Sequence, residues 1–136
     1  MEIAINRTND KFHFEASNGG ATLPIGASPV LGDTEYGFRP MELMLVSLGS
    51  CMSIDVLNLL YKQRQQVEDY DVKVSATRKG EPSIFENILV EIFVKGQVEE
   101  KRLEKAIAQS RDKYCSAYKV LNATATIDIK YYLNEV

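Results

Sequence analysis

The feature that most constrains the fold is a long apolar stretch between Met41 and Leu60. Pro40 occupies the position of a first helical residue and no further proline follows before about Gln65, so the stretch predicts one long helix. Its apolar residues surround the helix instead of forming one stripe. They are Leu43, Met44, Leu45, Val46, Leu48, Met52, Ile54, Val56, Leu57, Leu59 and Leu60. One small subunit cannot cover such a helix on every side, so we expect a homodimer.

Composition narrows the class of protein. The chain has 136 residues, which predicts one domain over residues 1–136. Its net charge of −3 leaves no basic field, so we expect neither nucleic acid nor a membrane as a partner. The long helix also carries Glu42, Ser47 and Asp55, which favours a core helix over a membrane span. The first residues lack the pattern of a signal peptide, which predicts a cytoplasmic protein.

The rest of the chain alternates between strand and helix patterns. Residues 2–17 predict a hairpin, and residues 18–37 predict mostly loop with room for one short strand. After the long helix come a predicted antiparallel pair, an amphipathic helix and a last strand. Their ranges are Tyr70–Thr77, Ile88–Val94, Glu99–Tyr114 and Ala123–Leu133. The order β-β-(β)-α-β-β-α-β predicts a two-layer α+β fold.

Two cysteines are the first candidates for chemistry. Cys51 falls in the middle of the long helix and Cys115 at the end of the second helix, 64 positions apart. Without a secretory signal, a permanent disulfide is not expected, so the residues leave open a pair of buried spectators or a functional pair. The chain has no Cys-x-x-Cys and a single histidine, His13, which we expect to be a solvated strand residue, so no metal site is expected.

A reactive Cys51 would need a cationic neighbour to favour its thiolate. Asp55 lies one helical turn beyond it on the same face, where a carboxylate disfavours a thiolate, so we expect Asp55 to be a solvated or capping group. The cation must therefore come from elsewhere in the fold. Arg39 before the long helix and Arg7 on the hairpin are candidates, although a plain surface charge is the simpler interpretation of each.

The segment from Gly37 to Cys51, GFRPMELMLVSLGSC, strongly resembles the helix-opening motif of the OsmC/Ohr family. Tyr114-Cys115-Ser116 falls where that family has its second cysteine, and the predicted order of elements is the family's order. The resemblance implies an OsmC-like fold, an intertwined homodimer with long central helices. It also implies a thiol peroxidase that reduces organic hydroperoxides in oxidative-stress defence, without metal, haem or flavin.

The resemblance further assigns roles to residues. Cys51 would be the peroxidatic thiolate and Cys115 the resolving thiol, and their disulfide would be reduced by a dithiol. Glu42 would be the supporting acid, and Arg39 or Arg7 the supporting cation.

This chain departs from the well-studied branches at three places. It has Met41 where their acid directly follows the proline, no glycine-flanked arginine around Arg7, and Ser116 where they have proline. These departures place it nearer the YhfA-like branch.

Two other functions stay open. One is a non-redox protein that binds a small molecule or acyl chain in a pocket at the dimer interface. The other is a structural dimer whose thiols are spectators.

Overall fold

Alternating apolar and polar residues near the N-terminus form a three-stranded antiparallel sheet in the order β1-β2-β3. Its strands are β1 (Ala4–Arg7), β2 (Phe14–Ser17) and β3 (Thr22–Ile25). The computed structural model describes residues 1–32 and 36–135 and divides into two compact units, Met1–Met44 and Leu45–Val136. The sheet belongs to the first unit. The predicted hairpin and the short strand after it are therefore both present.

The connection from β3 to the long helix depends on a close backbone approach. A 3₁₀ turn at Pro29–Leu31 follows β3, and Phe38 then pairs with Ile25 through an isolated bridge. Between them Gly37 passes so close to the Pro24 carbonyl that a Cβ at this position would overlap it. Only glycine fits there. The region is mostly loop, as predicted for residues 18–37, although residues 33–35 lie outside the described part of the chain.

The predicted long helix is α1 (Pro40–Lys62). It ends three residues before the predicted Gln65, because Arg64 adopts a left-handed backbone with φ of +58°. Within the chain it buries a stripe formed by Leu48, Gly49, Met52, Val56 and Leu60. Val46, Ile54 and Tyr61 stay exposed. By length and composition α1 could cross a membrane, a property that core helices of soluble proteins share.

The second unit contains another three-stranded sheet, in the order β4-β5-β6. Its strands are β4 (Gln66–Lys79), β5 (Ile84–Gln97) and β6 (Thr126–Leu133). The β4–β5 pair is antiparallel, as predicted, whereas β6 pairs in parallel with β5. The central strand β5 contributes alternate residues to the core, namely Ile88, Val90, Ile92 and Val94. The three strands predicted for this part of the chain are therefore present, but their first and last residues differ from the predicted ones.

The predicted helix over Glu99–Tyr114 is present, but its last turn is π-helical and a further helix, which was not predicted, follows it. The structure has α2 (Glu100–Gln109), a π-helical turn at Ser110–Tyr114 and a third helix, α3 (Ser116–Asn122). The wide turn closes through a 2.8 Å hydrogen bond from the Cys115 amide to the Ser110 carbonyl. Tyr114, the last residue of this turn, is 47% exposed.

The α+β class and the OsmC-like fold are confirmed, with a third helix that the predicted order lacks. The intertwined homodimer stays a prediction.

Candidate thiol site

The structure brings the two cysteines together. Cys51 lies in α1, and Cys115 lies between the π-helical turn and α3, where it caps the N-terminus of α3. The two Sγ atoms and a carboxylate oxygen of Asp55 all lie within 4.8 Å of one another. Both cysteines are free thiols. Cys51 is half-buried and Cys115 is 4% exposed, so the pair combines one accessible and one sheltered sulfur.

Asp55 belongs to this site, and the expectation that it is a solvated or capping group is wrong. It is half-buried, one helical turn after Cys51. Ser110, fully buried at the start of the π-helical turn, donates a hydrogen bond of 2.9 Å from its Oγ to Asp55 Oδ2. The helix spacing brings Asp55 beside Cys51, while the Ser110 hydroxyl supplies the partner that a half-buried carboxylate needs.

The surroundings of Cys115 hold it in the thiol form. Burial raises the pKa of Cys115 to about 12. The Tyr118 amide donates to its sulfur over 3.3 Å and acts in the opposite direction. The neighbouring Cys51 and Asp55 side chains reinforce the increase. At neutral pH Cys115 therefore keeps its proton.

Arg39 and Glu42 lie together at the start of α1, in the first unit. The Arg39 amide donates to Glu42 Oε1 over 2.8 Å, which is the reciprocal half of a capping box. Both residues line a pocket of about 290 Å³, together with Ala27, Tyr36 and Gly37. The carboxylate of Glu42 thus has a structural use, and its support of Cys51 stays a prediction, as does that of Arg39.

The other two residues singled out in the first unit have local partners. Arg7 donates from Nε to the Lys11 carbonyl over 3.0 Å, and its role as the supporting cation stays a prediction. His13 is half-buried directly before β2 and stacks on Tyr36, with ring centroids 4.1 Å apart. The expectation of a solvated strand histidine is therefore wrong.

Two pockets adjoin the thiol site within the second unit. One, of about 350 Å³, is lined by Cys115 and by residues of the π-helical turn and α3, including Arg111, Lys113 and Lys119. The other, of about 130 Å³, is lined by Asp55, Asn58, Leu59, Lys62 and Tyr114. Cys115 and Asp55 therefore each contribute to the wall of a pocket, while Cys115 itself stays 4% exposed.

Comparison with known proteins identifies the family. Residues 32–130 match the family model described as OsmC-like protein. The chain belongs to the OsmC-like family. It is 35% identical to Protein YhfA of Escherichia coli K12 over 94 residues, which cover 68% of this chain and 70% of that protein.

Solved structures of OsmC-like proteins share the fold. A hypothetical protein from Aquifex aeolicus VF5 superposes with a TM-score of 0.86 at 31% identity, covering 98% of this chain and 95% of that one. The organic hydroperoxide resistance protein OhrB of Bacillus subtilis superposes with a TM-score of 0.62 at 14% identity, covering 96% of each chain. At that level of identity, the similarity to OhrB shows the fold alone.

In this OsmC-like protein, the sequence places Asp55 one helical turn from Cys51, but we expected no part for it in the thiol site. Ser110 was not predicted as a site residue. It carries no local signal, since its partner lies 55 positions away in another element. The argument against a metal site considered only ligands close in sequence, and it overlooked a cluster assembled from two separate elements.

Proposed function

We propose that this OsmC-like protein is a cytoplasmic thiol peroxidase that reduces organic hydroperoxides through a Cys51–Cys115 disulfide cycle. The observation that carries the proposal is the separation of the two Sγ atoms, which lie within 4.8 Å of each other while only one of them is accessible. An accessible thiol next to a sheltered one is what a peroxidatic and resolving pair requires.

In the first step, the Cys51 thiolate attacks an oxygen of the hydroperoxide and the O–O bond breaks. Cys51 becomes a sulfenic acid, and the departing alkoxide takes a proton from water to become an alcohol. Cys115, whose pKa burial raises to about 12, keeps its proton during this step. Glu42 and Arg39, or Arg7, are the further supports that the family resemblance implies.

In the second step, Cys115 attacks the Cys51 sulfenic acid, the S–S bond forms and hydroxide leaves. The Asp55 carboxylate, within 4.8 Å of both sulfurs, is placed to accept the Cys115 proton and to pass it to the leaving hydroxide, which yields water. A dithiol then reduces the disulfide by two successive exchanges and is itself oxidised. The cycle needs no metal, haem or flavin.

A homodimer built from one OsmC-like domain per chain, residues 1–136, completes the proposal. Its support is the exposed apolar side chains on α1, among them Val46 and Ile54. An apolar helix face exposed on an isolated chain is covered most simply by a second copy of that chain.

The test is a count of free thiols and an intact mass of the reduced protein, before and after one equivalent of cumene hydroperoxide. We expect both thiols to be lost, with a peptide map that links Cys51 to Cys115. Cys51→Ser should abolish the reaction, whereas Cys115→Ser should still react and accumulate a sulfenic acid that dimedone traps. Two unreacted thiols in the wild-type protein would contradict the proposal and favour the non-redox binding function.

A further inference from the structure

Three potential metal ligands from two parts of the second unit converge at the thiol site. We propose that the reduced protein binds one Zn²⁺ through Cys51 Sγ, Cys115 Sγ and a carboxylate oxygen of Asp55. All three ligand atoms lie within 4.8 Å of one another. Metal binding by the reduced thiols goes beyond the proposed peroxidase activity and does not depend on it.

The spacing suits a zinc ion after a small adjustment. Zinc binds sulfur at about 2.3 Å and carboxylate oxygen at about 2.0–2.2 Å, so ligand atoms in a tetrahedral site are about 3.5–3.8 Å apart. The atoms here must therefore close by at most about 1.3 Å. Cys51 and Asp55 are both half-buried side chains one turn apart on the same helix, and small side-chain rotations can close this gap.

The carboxylate is already oriented by a neighbour. The buried Ser110 hydroxyl occupies Asp55 Oδ2 over 2.9 Å and leaves the other carboxylate oxygen to bind the ion. Hydrogen bonds of this kind fix the direction of a metal ligand and commonly change metal affinity by about 10- to 100-fold. The Tyr118 amide plays the same part for Cys115, since it donates to the sulfur over 3.3 Å.

The chemistry of the three ligands indicates which metal ion the site would bind. Two thiolates with one carboxylate favour zinc over the hard cations magnesium and calcium. Three protein ligands leave a fourth position for water, and one of the three, Asp55, also lines a pocket of about 130 Å³. Because zinc would hold both sulfurs as thiolates, the zinc-bound state and a Cys51–Cys115 disulfide exclude each other.

The experiment is an anaerobic titration of the fully reduced protein with Zn²⁺ in competition with a chromogenic chelator. No peroxide is present, so the result is independent of the peroxidase proposal. We expect one ion per chain for the wild-type protein. Cys51→Ser and Cys115→Ser should each lose this binding. Asp55→Asn, which keeps both thiols and the side-chain shape, should weaken it by at least about tenfold.

The matched control is Asp71→Asn, which removes an exposed carboxylate from β4 and should leave the affinity unchanged. Substitution of Co²⁺ for zinc supplies a second readout, because thiolate-to-cobalt charge transfer absorbs strongly in the near ultraviolet. This absorption should fall to about half in each cysteine variant that still holds cobalt, and should persist in Asp55→Asn. The proposal would be overturned if the Cys51→Ser/Cys115→Ser double variant still bound zinc. It would also be overturned if Asp55→Asn left the zinc affinity unchanged.

Discussion

The Ser110 hydroxyl donates a 2.9 Å hydrogen bond to Asp55 Oδ2 and thereby joins the π-helical turn to α1 beside both thiols. The donor is fully buried and the acceptor half-buried. This contact links the irregular segment after α2 to the helix that carries Cys51.

Ser110→Ala should therefore lower the free energy of unfolding by about 1–3 kcal/mol, because it leaves a half-buried carboxylate without its partner. Urea denaturation of the reduced protein measures the change. Ser75→Ala, at an exposed position of β4, is the control and should shift stability by less than about 0.5 kcal/mol. Equal losses in the two variants would show that the hydrogen bond contributes nothing.

Selective alkylation should distinguish the two thiols. Near neutral pH, iodoacetamide should label Cys51 well before Cys115, because Cys115 is 4% exposed and burial raises its pKa to about 12. As the pH rises toward that value the Cys115 thiolate fraction grows, so its labelling should increase in alkali. Peptide mapping after timed labelling measures both rates. Faster labelling of Cys115 at neutral pH would contradict the assignment of the sheltered thiol.

The regular elements of this fold were predictable because each has its own local signal. Pro40 marks the start of α1, and the period-two alternation in β4 and β5 identifies a pair of strands. Their ends were less accurate, since the end of α1 depends on the left-handed backbone of Arg64, which no pattern of apolar residues encodes. The resemblance to the family then predicted that Cys51 and Cys115 belong to one site.

The irregular segment after α2 was not predictable in this way. No proline or glycine occurs between Gly96 and the end of the chain, so nothing in composition interrupts the helix predicted to Tyr114. The change from α-helix to π-helical turn within that range coincides with tertiary contacts, the bond between Ser110 and Asp55 and the burial of Cys115. Partners this far apart in sequence have no local signature.

Gly49 should be intolerant of a side chain. In α1 its added Cβ would lie 2.9 Å from Val74 Cγ2. Gly49→Ala should therefore destabilise the protein by about 1–3 kcal/mol, despite a gain of about 1 kcal/mol in helix propensity. Thermal or urea unfolding measures this. In a Val74→Ala protein, Gly49→Ala should lower the free energy of unfolding by less than it does in the wild-type protein. If the two substitutions have additive effects, the contact between these positions is refuted.

Tyr70 should make the protein less stable in alkali. Burial raises its pKa to about 12 from an ordinary 10.0, while the Ser53 hydroxyl acts the other way. Between these values the unfolded chain loses the phenol proton and the folded chain keeps it, so the free energy of unfolding falls as pH rises, by up to about 3 kcal/mol. Tyr70→Phe should lose this part of the pH dependence in urea unfolding. Tyr36→Phe, at a tyrosine that is 43% exposed and lies outside α1, is the control, and identical pH profiles for the two variants would contradict the prediction.

Ile54 offers the sharpest test of the proposed dimer. Its side chain is 68% exposed on α1, and the exposed Tyr61 lies seven residues further on the same face. Ile54→Glu would place a charge in an apolar interface, so it should shift a dimer toward monomer in light scattering coupled to size exclusion. Because Ile54 lies outside the buried stripe of Leu48 and Met52, far-ultraviolet circular dichroism should stay unchanged. Glu68→Gln, which alters an exposed charge on β4, is the control. If Ile54→Glu forms a dimer with the same affinity as the wild-type protein, this face of α1 is not part of the interface.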